Sequence, residues 1–80
     1  LARWAVVRVA AADGQAAQAI VTGAFAPVTM TVDTRPPAAG PEWEIRVQDH
    51  TEQELVGVLR RAGVDVLAAK EVLDHPLRRA

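Results

Sequence analysis

From Trp43 to Val47 apolar and polar side chains alternate strictly, the period of a strand with one buried face. The same alternation runs through Val28-Thr29-Met30-Thr31-Val32-Asp33-Thr34, with Val28, Met30 and Val32 on one side and Thr29, Thr31 and Asp33 on the other. Between them, Arg35-Pro36-Pro37-Ala38-Ala39-Gly40-Pro41 is too proline-rich for anything but a stiff connection. The two segments therefore form a hairpin with one apolar and one polar face. Trp4-Ala5-Val6-Val7-Arg8-Val9 is apolar on both faces except at Arg8, which predicts a strand in the middle of a sheet.

Helical spacing appears after the hairpin. Thr51 and Glu54 form a capping box, each side chain answering a backbone donor of the other. Leu55, Val58, Leu59 and Ala62 follow as one apolar stripe, and Gly63 is placed to end the helix. Val64, Val66 and Ala68 then predict a final strand, with Glu71 to Ala80 as a charged tail. Gln15–Phe25 supports two readings. As a helix it puts Ala16, Ala19, Ile20, Gly23 and Ala24 on one stripe; as a strand it makes Asp13-Gly14 a hairpin turn. Helix is preferred, because alanine and glutamine are good helix formers and poor strand formers.

The predicted order is strand, helix, strand, strand, helix, strand. Right-handed crossovers turn that order into an α+β, ferredoxin-like βαββαβ sandwich, a four-stranded antiparallel sheet with two helices on one face. The expected organisation is a single domain over residues 1–72 with a charged tail over 73–80.

Composition narrows the function. Eighty residues without cysteine must fold without disulfides or thiolate-bound zinc, and thiol catalysis is excluded. A core of this size supplies about 3–5 kcal/mol of net stability, so self-association is a natural reinforcement. Nine basic residues against ten acidic leave no cationic footprint for nucleic acid. Arg60-Arg61 and Arg78-Arg79 are isolated pairs, expected as solvated charges at helix ends. No apolar run approaches the ~20 residues of a membrane span, and the amino terminus lacks a signal-peptide pattern. The expected location is cytoplasmic, and a chain opening at Leu1 is read as trimmed or excised from something longer.

With Asp13-Gly14 between the first strand and first helix, the element order over Arg3 to Val72 resembles the ACT-like regulatory domains. The resemblance implies homodimers paired through sheet edges or helices, and a small polar effector such as an amino acid bound near that turn. Ala12, Asp13, Gly14 and Gln15 would line the site, where helix-start N–H groups attract a carboxylate and glycine admits a ligand closely. No cofactor is implied.

Two other functions compete. An accessory domain docking on a larger enzyme, with a protease propeptide as one variant, would use the outer sheet face of Thr29, Thr31, Glu44 and Arg46, or the tail. A small metal-dependent enzyme would use Asp49-His50 and Asp74-His75, which the predicted topology brings to one end of the sheet. Catalysis is otherwise not expected: there is no nucleophile elbow, and the five glycines form no phosphate loop. Glu42, Glu44, Glu52 and Glu54 are expected as a solvated face. Trp43 shares parity with Ile45 and Val47 and is expected in the core, whereas Trp4 is placed either at a sheet edge or against a partner.

Overall fold

Pairing of the first strand on both sides organises the molecule, whose computed structural model describes residues 2–25, 29–33 and 41–74. Strand β1 (Ala2–Ala10) leads through a 3-10 turn at Ala11–Asp13 into helix α1 (Gly14–Ala24). Strands β2 (Met30–Asp33) and β3 (Glu42–Gln48), helix α2 (Glu52–Arg61) and strand β4 (Ala68–Asp74) follow. The sheet order is β2-β3-β1-β4, with every neighbouring pair antiparallel. This is the expected ferredoxin-like α+β arrangement. β1 is central because it is apolar on both faces: Ala5, Val7 and Val9 enter the main core, and Val6 is buried on the opposite face.

One core lies between the sheet and the helices. Ala5, Val7 and Val9 of β1 and Ile45 and Val47 of β3 meet Ala17 and Val21 of α1 and Leu55 and Leu59 of α2. Met30, Val32 and Trp43 pack against this cluster from the same sheet face. The hairpin thus carries its apolar side inward, as its alternation requires. Val28, Thr34 and most of the proline-rich connection lie outside the described residues.

α2 matches its sequence signals closely. Its capping box is formed in both directions, Thr51 N–H donating to Glu54 Oε1 at 2.8 Å and Glu54 N–H to Thr51 Oγ1 at 3.1 Å. Gly63 ends it in the left-handed region at φ 86°, the conformation glycine adopts without a Cβ penalty. Leu55 and Leu59 are buried and Val58 half-buried, but Ala62 is exposed.

Three expectations are corrected. In α1 the buried positions are Gly14, Ala17 and Val21, with Ile20 half-buried, while Ala16, Ala19, Gly23 and Ala24 are exposed. Alanine at so many positions carries no phase information; contact between Gly14 and Trp43 sets the rotation instead. The last strand also begins later than expected. Residues 64–67 are irregular, spent crossing from the end of α2 to the sheet, while Val64 drops into the core. Its N–H closes the helix on Leu59 O at 3.0 Å. Finally, Glu71 to Asp74 are strand rather than tail, held by antiparallel pairing with β1 from Ala2↔Asp74 to Arg8↔Ala68. Pairing overrides the poor strand propensity of Ala68-Ala69-Lys70. Residues 75–80, with His75 and Arg78-Arg79, lie outside the described residues.

Candidate functional site

The turn after β1 carries the residues that the resemblance assigns to an effector. Ala12 and Gln15 are exposed, Asp13 is half-buried and Gly14 is buried. Gly14 has ordinary helical angles, φ −61° and ψ −47°, so backbone freedom does not explain it. Space does. A Cβ at Gly14 would overlap the six-membered ring of the Trp43 indole. Gly14 therefore lets the start of α1 sit down on β3, and its lack of a side chain faces the protein interior. Of the four residues, Ala12, Asp13 and Gln15 keep surface to offer, and Asp13 makes no side-chain cap to the helix.

The joint between β3 and α2 is the second candidate. Asp49 stands in the left-handed region at φ 65° and its N–H donates to Arg3 O at 2.8 Å. His50 follows, with its ring against Phe25 at 4.4 Å between centroids and Nδ1 3.5 Å from Glu54 Oε1. The histidine thereby ties the end of α1 to the start of α2. An open depression of about 470 Å³ lies beside it, lined by Arg3, Asp49, His50, Thr51 and Leu73. At the start of α2, Glu52 N–H meets Glu71 Oε2 at 3.1 Å, and Thr51 and Glu54 satisfy each other. Among the described residues no three metal-ligating side chains converge. The proposed partner His75 lies beyond them.

The same hydrogen bonds set an electrostatic property. The Thr51 N–H lowers the Glu54 carboxyl below its ordinary value; desolvation opposes it, and the Thr51 hydroxyl and His50 add smaller effects in the lowering direction. A depressed folded pKa stabilises the fold above the unfolded-state pKa, and that share is lost as pH falls through the folded value. Glu54→Gln is therefore expected to flatten the acid side of the stability curve, below about pH 4.5. Urea midpoints at stepped pH check this; parallel curves for the two proteins would refute it.

No described helix covers the outer face of the sheet. Its lower half is charged and internally neutralised: Arg8 reaches Glu42 at 3.5 Å and Glu44 at 3.2 Å, and Arg46 reaches Glu44 at 3.0 Å. Glu42 and Glu44, expected as part of a solvated face, are thus ion-pair partners of Arg8 and Arg46. Val6, opposite Arg46 and Lys70, is only 2% exposed, because the neighbouring long side chains cover it. Trp4 is half-buried beside it.

The edge beyond β4 is different. β4 is a terminal strand of the sheet, seven residues long, with no neighbour on its outer side among the described residues. Leu67 and Leu73 are exposed at 53% and 59%, the large apolar residues most open to solvent among those described. Reading Glu71 onward as a charged tail hid Leu73, whereas Leu67 closes the segment expected as strand and is irregular instead.

No described helix is long and apolar enough to cross a membrane. No family model, no curated protein and no solved structure matches the chain.

Proposed function

We propose that this chain is a non-catalytic regulatory or oligomerisation module, ACT-like in plan, that forms a homodimer by extending its sheet. The observation that carries the reading is the β4 edge, which has no neighbour among the described residues. Terminal strands are usually guarded by shortness, proline, bulges or several charges. β4 has seven residues and no proline; it carries three charges, Lys70, Glu71 and Asp74, with exposed Leu73 inside it and exposed Leu67 just before it. In a domain with so small a core, burial of those leucines in a subunit contact is the natural supplement. A small polar effector such as an amino acid is assigned to the turn of Ala12, Asp13, Gly14 and Gln15, with Asp13 and the exposed flanking residues as its contacts and Gly14 as packing.

Sedimentation velocity over a hundredfold concentration range tests the association. The wild-type chain is expected to shift from monomer to dimer, and Leu73→Lys to remain monomeric with an unchanged melting profile at low concentration. A wild-type chain that stays monomeric throughout would overturn homodimerisation. It would leave docking on a larger enzyme as the use of this edge.

A further inference from the structure

We infer that β4 is a detachable strap. It leaves the sheet as a unit, hinged at residues 66–68, while β2-β3-β1 and the two helices stay folded. The inference concerns the monomer and stands apart from the dimeric reading above.

Among the described residues, the core draws no side chain from β4. Ala5, Val7, Val9, Ile45 and Val47 supply the sheet's buried share, and even the four-residue edge strand β2 sets Met30 and Val32 against it. β4 is longer at seven residues, yet Ala68, Ala69, Lys70, Glu71 and Leu73 are exposed and Val72 is half-buried. The register explains this. Arg3↔Leu73, Ala5↔Glu71 and Val7↔Ala69 place Leu73, Glu71 and Ala69 on the helix-bearing face, since Ala5 and Val7 are core residues. A strand fixed by packing would carry large apolar residues where β4 has a carboxylate and a methyl group.

Backbone pairing holds the strand instead, running from Ala2↔Asp74 to Arg8↔Ala68. Val72 opposite Trp4 adds a cross-strand contact on the outer face, and Glu52 N–H ties Glu71 Oε2 to α2 at 3.1 Å. Segments with few buried apolar contacts and solvent-facing backbone bonds are those that open below the global unfolding free energy. The hinge is equally defined. Val64 is buried and Val66 packs against the core, so the chain is anchored up to that point. Pairing with β1 starts just after it, where Leu67 N–H donates to Arg8 O at 2.9 Å. Opening uncovers Val6, which lies opposite Lys70, and frees the backbone groups on that side of β1. The strap thus controls access to a second edge of β1.

Residue-resolved hydrogen exchange, at a concentration where the chain sediments as a monomer, tests this. Amides bonded between β4 and β1 are expected to exchange at least about tenfold faster than those bonded between β1 and β3, with little dependence on urea. Successive amides of β1 point alternately to β3 and to β4, so protection along β1 should itself alternate. Those turned towards β4 should share its rate. Glu71→Ala should speed this fast class alone. The chain has no cysteine, and Arg3 and Leu73 face each other in the register. A disulfide between Arg3→Cys and Leu73→Cys should therefore close the strap and slow the fast class to the level of the β1–β3 amides. Equal protection on both sides of β1 would overturn the inference. Fast exchange confined to the end of β4, with no counterpart in β1, would do so too, as would a disulfide that forms and leaves the rates unchanged.

Discussion

Leu59→Ala is expected to leave most of the protein unfolded at 25 °C. Leu59 is fully buried in α2 and shares one cluster with Leu55, Ile45, Val47 and Val64. Truncating a leucine at such a site removes its transfer energy and leaves a cavity, costing about 2–5 kcal/mol. The whole domain has about 3–5 kcal/mol available. A loss that is tolerable in a protein twice this size is close to total here. Far-ultraviolet circular dichroism with urea titration measures it. Leu59→Met, which conserves volume, should cost less than about 1.5 kcal/mol and keep a cooperative transition. A Leu59→Ala protein with a near-wild-type midpoint would mean that Leu59 contributes little to the cluster it is buried in.

Gly14→Val should be nearly as damaging, for the opposite reason. It adds atoms where the Trp43 ring already lies, and the smallest possible addition, a single Cβ, overlaps that ring. Either the indole leaves its place on the core or α1 lifts from β3. Overpacking of this kind costs about 1–3 kcal/mol or more, a large fraction of the total. The expected signature is a lower melting point together with a change in tryptophan emission as Trp43 becomes exposed. Unaltered melting and emission would contradict the Gly14–Trp43 contact. The substitution consequently says nothing about a ligand at the turn, since it damages the fold first. Asp13→Ala is the informative change. Asp13 makes no cap bond, so the apo protein should melt as wild type does. Heat stabilisation by an amino-acid panel should disappear only if the carboxylate belongs to an effector site.

The contrast between α1 and α2 explains how legible this chain is. α2 announces its start, its stop and its buried face because each signal uses a chemically distinctive residue. Thr51 and Glu54 make the cap, Gly63 the left-handed exit, and Leu55, Val58 and Leu59 the large apolar side chains at helical spacing. α1 is built from small residues, and a helix of alanines can be rotated by a position without changing its pattern. Its phase depends on Trp43, a residue some thirty positions away in sequence. β4 was obscured in a related way. Val64 and Val66 look more like a strand than Ala68-Ala69-Lys70-Glu71 does, yet β1 supplies its hydrogen bonds to the latter.

The candidate sites divide along the same line. Asp13-Gly14 is visible in the sequence as a turn pair, but only packing shows that its glycine points inward. Asp49-His50 is visible as a chemistry-bearing pair, but only the fold brings Phe25 to the imidazole and Glu71 to the first turn of α2. The β4 edge is not a motif at all, since an edge is defined by which strand lacks a neighbour.

By itself the sequence determined the inward side of the hairpin and the limits of α2, and it favoured the antiparallel βαββαβ plan while leaving Gln15–Phe25 open between helix and strand. These are set by local periodicity, capping and turn chemistry, which act within a few residues. The tertiary structure decided the rotation of α1, the start and length of β4, the inward role of Gly14 and the exposure of Leu67 and Leu73. Each depends on contacts between distant segments, where close packing and strand pairing outweigh local preference.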